Sequence, residues 1–264
     1  MRIKPSSRLT SWWSAIQHRR RERAENLRRH GAEARFESLI ETAHEIARIN
    51  PYGLVELIRA LLRPMQSEYL LGVAELGRDP FPTIGSQSFF GGAVASRLYS
   101  ADGMRFRGRK LDARHFTLRL ARYPVLPWAW NRTSYMSALA TIGSHDGQYG
   151  KKRWRQDFNH KVDLWLPWGI GFVAGGNHSI TAGILAADGE LVPCNAYDMC
   201  FLFDELRCDG TRFHDQRTGR SLVSAIDTRR AAVFEIGRIM HEHGISAFDM
   251  AGVRIDGDDA PGCT

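Results

Sequence analysis

The residues best suited to chemistry are Gly175-Gly176-Asn177-His178-Ser179. There an apolar run, Ile170 to Ala174, gives way to a double glycine and three polar side chains. Ile180, Ile184 and Ala187 then recur at helical spacing, and Asp188-Gly189 closes the element. The pattern predicts a strand that turns tightly into a helix. The first N–H groups of such a helix lack intrahelical acceptors and carry the positive end of its dipole, which suits an anion such as phosphate. Gly175 and Gly176 would permit unusual backbone angles and close ligand approach. His178 is the candidate catalytic residue, because an imidazole titrating near neutrality serves as general acid or base, or binds a phosphate oxygen. Asn177 and Ser179 either donate to the same oxyanion or simply cap the helix.

Two further segments carry charge that could meet a phosphate. Asn131-Arg132 follows the Trp- and Pro-rich stretch Tyr123 to Trp130 and offers a second clamp, since a guanidinium grips phosphate through two bonds. The alternative is a surface ion pair beside packed tryptophans. Lys151, Lys152 and Arg153, followed by Trp154, mix cations with an aromatic ring, as in segments that track a nucleic-acid backbone and stack a base. The plainer reading is an exposed loop with one anchoring tryptophan. No metal site is expected. His241 and His243 are two apart and do not share a helix face, and His-Glu-x-x-His is absent. Ser179 lies outside any Gly-x-Ser-x-Gly elbow, which removes the simplest hydrolase reading.

The elements that must position these residues follow from periodicity. Ala34 to Ile49 and Gly53 to Leu62 carry apolar stripes at helical spacing, with Pro64 expected to end the second. Turn signals crowd residues 65–105. His115 to Leu120 alternates as a strand, and a helix is expected over Thr133 to Ile142. Val162 to Leu166 and Ile170 to Val173 read as strands separated by Pro167-Trp168-Gly169. After the glycine-led helix come a short strand near Leu191, a helix near Ala196 to Leu206 and a hairpin around Arg217-Thr218-Gly219. The last helix, Asp227 to His243, stops at Gly244. The expected fold class is α+β, with a helical region over 1–105 packed on a mixed α/β domain over 106–264 that ends in a hairpin and C-terminal helix.

The 264 residues suffice for one sizeable core, and their composition, 43% hydrophobic and 25% charged, is that of an ordinary globular protein. The net charge of +7 is unevenly placed. Residues 1–35 hold ten Lys and Arg against three Glu, so the remainder of the chain is formally neutral. Arg19, Arg20, Arg21 and Arg23 dominate this arm, which could attract nucleic acid or an acidic protein, or remain a solvated helix. No apolar stretch approaches the roughly 18–20 residues needed to cross a bilayer, and the start lacks the apolar core of a secretory signal. Cys194, Cys200, Cys208 and Cys263 form no Cys-x-x-Cys pair. Reduced thiols, a cytoplasmic location and no membrane partner are therefore expected.

The second half resembles the ParB/sulfiredoxin superfamily over about residues 110–205. The pieces that carry the resemblance are Arg114 to Ala121, Pro127-Trp128-Ala129-Trp130-Asn131-Arg132, the helix Thr133 to Gly143, and Phe172 to Ser179. The resemblance implies a ParB/sulfiredoxin-like mixed domain whose glycine-led helix start holds nucleotide phosphates or does chemistry beside them. The chain has Asn177 where sulfiredoxins carry a catalytic cysteine, so sulfinic-acid reduction is not implied. It has Ser179 where chromosome-partitioning members carry a phosphate-binding arginine, which places it nearer the divergent branches that include nucleases and kinases. The leading expectation is binding of a nucleotide or nucleic-acid phosphate at Gly175 to Ser179. Phosphoryl transfer or phosphodiester cleavage, with a nucleotide and Mg²⁺ as the implied cofactors, is left open. The rival is a non-catalytic nucleic-acid-associated or protein-interaction module acting through the basic arm.

Overall fold

The computed structural model of the protein describes residues 31–77, 84–143 and 152–255. The arm residues Arg19, Arg20, Arg21 and Arg23, and Lys151, lie outside the described residues. Two helices open the described chain. α1 (Gly31–Ile49) buries Phe36, Ala43 and Ala47, members of its apolar stripe. α2 (Gly53–Leu76) runs straight through Pro64, where the sequence suggested a stop. Pro64 is exposed, and Met65, Leu70 and Val73 beyond it are all buried. Burial of that continuing stripe outweighs the one helical hydrogen bond that proline cannot make.

The chain then alternates short helices and strands. In order they are α3 (Gly92–Ala95), β1 (Arg109–Leu111), β2 (Leu118–Arg119), β3 (Val125–Leu126), α4 (Arg132–Thr141), β4 (Val162–Leu166), β5 (Ile170–Val173) and α5 (Asn177–Leu185). β6 (Glu190–Leu191), β7 (Asn195–Asp198), α6 (Phe201–Glu205), β8 (Leu206–Cys208), β9 (Arg212–Asp215), β10 (Ser221–Ser224) and α7 (Thr228–Glu242) complete it. The fold class is α+β, with helices at both ends of the described chain and mixed sheets between them. The central sheet has the order β1-β7-β4-β5-β3. β4 pairs antiparallel with β5 and parallel with β7, while β3 lies parallel to β5. β8, β9 and β10 form an antiparallel sheet, and β2 pairs with β6.

The period of two along β4 and β5 explains how the sheet divides the core. Trp165, Ile170 and Phe172 belong to a cluster containing Phe36 of α1, Ile58 and Leu62 of α2, and Phe234 and Ile236 of α7. Val162, Leu164, Leu166 and Val173 belong to the other cluster, with Ile180 and Ile184 of α5 and Phe116 and Leu118. Helices therefore cover both faces of the sheet, which is why its central strands read as nearly continuous apolar runs. The Pro167-Trp168-Gly169 turn follows a cis Leu166–Pro167 bond, and Trp168 donates from Nε1 to the Val233 carbonyl, 2.8 Å away on α7. On α2, buried Gln66 donates to the Val125 carbonyl at 2.6 Å and so ties that helix to the edge strand β3.

The helix expected near Ala196 to Leu206 is instead strand β7, a short α6 and strand β8. Its apolar residues satisfy helical and strand spacing alike over so short a run, and pairing of β7 with both β1 and β4 decides the matter. Cys200 and Cys208 are free thiols, whereas Cys194 is disulfide-bonded, so the expectation of reduced thiols fails for Cys194. No helix among the described residues is long and apolar enough to cross a membrane.

Candidate functional site

β5 delivers the chain to Gly175-Gly176, and α5 begins at Asn177. Residues 159–161 press against this turn from one side. Ala174 N–H donates to the Lys161 carbonyl at 2.8 Å, and Gly175 N–H donates to the same oxygen at 3.2 Å. A Cβ at Gly175 would stand 2.6 Å from the Asn159 carbonyl oxygen. One at Gly176 would stand 2.4 Å from Cδ2 of His160, and the backbone there is left-handed with φ +75°. The double glycine is thus required by the approach of a neighbouring loop. The left-handed angle at Gly176 is the unusual backbone geometry that the sequence suggested, but the group that approaches closely is a neighbouring loop.

Each polar side chain of the turn has a defined partner. Asn177 Oδ1 accepts the Trp128 N–H at 2.7 Å, and His178 Nε2 accepts the Asn131 N–H at 3.1 Å. Asn131 in turn caps α4, its Oδ1 accepting the Ser134 N–H at 2.9 Å. The structure therefore brings together Asn131 and His178, residues 47 apart in sequence, and with them the starts of α4 and α5. Two helix dipoles present their positive ends to one place. Because Nε2 of His178 is an acceptor, the neutral ring carries its proton on Nδ1. Burial holds its pKa below the ordinary histidine value. His178 is thus fitted to donate a hydrogen bond from Nδ1; Nε2 is already engaged.

Ser179 is held differently. Its Oγ lies 2.8 Å from Nε2 of His160, whose Nδ1 accepts the Asp157 N–H at 2.8 Å. Nδ1 is therefore unprotonated, and Nε2–H donates to the serine oxygen. The Asp157 carboxylate lies 3.1 Å from the same Nδ1, so Ser179, His160 and Asp157 superficially copy a nucleophile–base–acid triad. The tautomer rules out that role in this arrangement, because a base must accept the serine proton at Nε2. His160 is buried at 3% exposure, which pushes its pKa down. Trp154 stacks obliquely on it, ring centroids 4.8 Å apart, and donates to the Ser179 carbonyl at 3.0 Å.

The backbone is the part of the turn left open. Gly176 caps α5 without a side-chain bond, and the helical ladder starts with Ile180 N–H to the Gly176 carbonyl at 2.9 Å. The N–H groups of Asn177, His178 and Ser179 make no hydrogen bond among the described residues. Arg132, the first residue of α4, is exposed and has no ion pair among the described residues. A family model described as a family of unknown function (DUF6710) matches residues 13–247. The chain belongs to this family. Searches of curated proteins and of solved structures return no match. Membership in DUF6710 carries no activity with it, and the site must be argued from its atoms.

Lys161 and Phe158, which sequence reasoning did not single out, and Trp130, which it read among the packed tryptophans, belong to the segments around the site. Lys161 runs along Gly175, its Cβ and Cγ each 3.4 Å from where a glycine Cβ would be. Trp130 is 44% exposed and meets His178 edge to face at 5.7 Å, while Phe158, two residues before His160, is 91% exposed. Of the basic segment, Lys152 is exposed and bridges Ile142, and Arg153 reaches Asp188 at 3.9 Å. Trp154 is the anchor of that segment, 5% exposed. A cavity of about 910 Å³ lies elsewhere, between α1, α2 and the start of α7, with Arg35, Tyr69, Arg229 and Arg230 on its walls.

Proposed function

We propose that this protein binds a phosphate group of a nucleotide or nucleic acid where the starts of α4 and α5 meet. The observation that carries the reading is the set of three N–H groups, at Asn177, His178 and Ser179, that have no partner among the described residues, together with exposed Arg132, which follows Asn131 and has no ion pair among them. His178 Nδ1–H supplies a further donor at the same place, and the Lys161 side chain starts out alongside Gly175. The exposed rings of Trp130 and Phe158 favour a ligand that brings a base as well as a phosphate, because every nucleobase offers a face to stack on. The ordered likeness to the ParB/sulfiredoxin superfamily supports the same placement, since its members use this helix start for nucleotide phosphates.

In this reading His178 acts on the ligand as a hydrogen-bond donor from Nδ1–H, stabilising charge on a phosphate oxygen, with Nε2 kept occupied by Asn131. Thermal stabilisation by a panel of nucleotides and short single-stranded oligonucleotides, each with and without Mg²⁺, tests it. Arg132→Ala alters an exposed side chain with no ion pair among the described residues and should weaken binding about tenfold while leaving the melting temperature of the free protein unchanged. Failure of every nucleotide and oligonucleotide to stabilise the protein refutes the proposal. If instead deletion of residues 1–30 removes all oligonucleotide affinity and Arg132→Ala removes none, the basic arm is the contact and the non-catalytic rival stands.

A further inference from the structure

The cavity of about 910 Å³ between α1, α2 and the start of α7 falls in the size range of small-molecule sites. Part of its charged lining is spent within the fold. Nε of Arg230 lies 3.3 Å from the Asp227 carboxylate, Nη1 donates to the Phe89 carbonyl at 3.4 Å, and the guanidinium rests over the Phe89 ring at 5.3 Å. Asp227 also accepts the Arg230 N–H at 2.9 Å, so this pair is closed and its charges cancel. Arg35 on α1 and Arg229 on α7 differ from it. Both are exposed, both line the cavity, and neither guanidinium has an ion pair or hydrogen bond among the described residues. Glu68 of α2 is the other carboxylate of the lining; it too is exposed and lies in no ion pair among the described residues. Two open guanidiniums against one open carboxylate leave the cavity a surplus of positive charge that a ligand can reach.

We infer that this cavity is a binding site for a small phosphate monoester carried on an apolar body. The two open arginines come from different helices, and each presents a fork of N–H donors. A carboxylate has two oxygens, enough for one fork. A phosphate monoester has three terminal oxygens and can meet both forks at once, and its second negative charge doubles the attraction to the surplus. The hydroxyls of Ser38 and Thr228 line the same cavity without a hydrogen-bond partner among the described residues and supply uncharged donors to the remaining acceptor sites. Leu39, Leu61 and Met65 form the apolar part of the lining, against which the organic body of the ester would rest. No residue of α4 or α5 lines this cavity, so the site is independent of the α4–α5 junction and of any nucleotide bound there.

Calorimetric titration of the full chain with phenyl phosphate, benzoate, benzyl alcohol and inorganic phosphate tests the assignment. Phenyl phosphate should bind at least about tenfold more tightly than benzoate, the gain expected from a second charge-assisted contact, and benzyl alcohol should bind more weakly still. Inorganic phosphate, which covers no apolar wall, should bind more weakly than phenyl phosphate. Arg35→Gln and Arg229→Gln should each weaken phenyl phosphate binding about tenfold without changing the melting temperature of the free protein, because both side chains are exposed and lie in no ion pair among the described residues. Glu68→Gln removes the one open carboxylate and should tighten binding several-fold. No binding of phenyl phosphate at millimolar concentration, equal affinity for benzoate or for inorganic phosphate, unaltered affinity in Arg35→Gln and Arg229→Gln, or weaker binding in Glu68→Gln overturns the inference. Arg132→Ala should leave phenyl phosphate binding unchanged; if it alone removes that binding, the ester sits at the α4–α5 junction, which supports the phosphate reading there and overturns this one.

Discussion

Replacing Gly176 by alanine separates two reasons for the double glycine, and the cost can be worked from the geometry. The first component is backbone conformation: φ is +75°, and an L-residue in the left-handed region costs about 1–2 kcal/mol. The second is steric, since the new Cβ would stand 2.4 Å from Cδ2 of His160. That ring cannot yield easily, being held at both nitrogens and backed by Trp154. Forcing a methyl into such packing costs about 1–3 kcal/mol, so Gly176→Ala should destabilise the protein by about 2–5 kcal/mol. Gly219, in the turn between β9 and β10, supplies the control. Its φ is +69° and nothing lies within 4 Å of its missing Cβ, so Gly219→Ala should lose only the backbone component, about 1–2 kcal/mol. Urea unfolding of the two variants and the parent, compared at constant m-value, measures the difference. Equal destabilisation of the two variants would refute the steric argument and return Gly176 to the role of a site kept clear for ligand.

Ser179→Ala should cost about 1–3 kcal/mol in the same assay, because it strands the Nε2–H of buried His160 without an acceptor; a change near zero would mean that the ring finds another partner. Both His160 and His178 have pKa values held below the ordinary histidine value by burial. The unfolded chain then binds more protons than the folded one. Stability is complete above about pH 6.5 and falls as the pH drops below it, a slope that denaturation at several pH values should show and that His160→Gln should flatten. Pro64→Ala should raise the melting temperature, since it restores a helix hydrogen bond at an exposed position inside α2.

Much of the frame was legible in the residues themselves. The strands Val162–Leu166 and Ile170–Val173 fall where the apolar runs place them, and α5 starts at Asn177 directly after the glycines. α7 begins after Asp227, which caps it through a bond from the Arg230 N–H at 2.9 Å, and ends before Gly244. These are local events, decided by side-chain period, capping and the chain's own stereochemistry, so they can be read from a short window. Gly175 to Ser179 could be picked out for the same reason, as a helix start, whereas Asn131 and Arg132 were chosen as a phosphate clamp and turn out to open α4.

Only the tertiary structure decided what those residues face. Nothing local to His178 says that its Nε2 will accept the Asn131 N–H, or that His160 will occupy Ser179 and force Gly176 to remain glycine. These contacts join residues 16 to 47 apart, and the pairing of β4 with β5 and the docking of α5 on the sheet must form before they exist. The same holds for α2, where Pro64 read as a stop until packing against α7 and β3 made the continued helix worthwhile, and for β7, whose pairing with β1 and β4 overrode an ambiguous period. Sequence determines local conformation through short-range sterics and hydrogen bonds. Which of the resulting polar groups is used up within the fold, and which is left open to a ligand, depends on long-range neighbours.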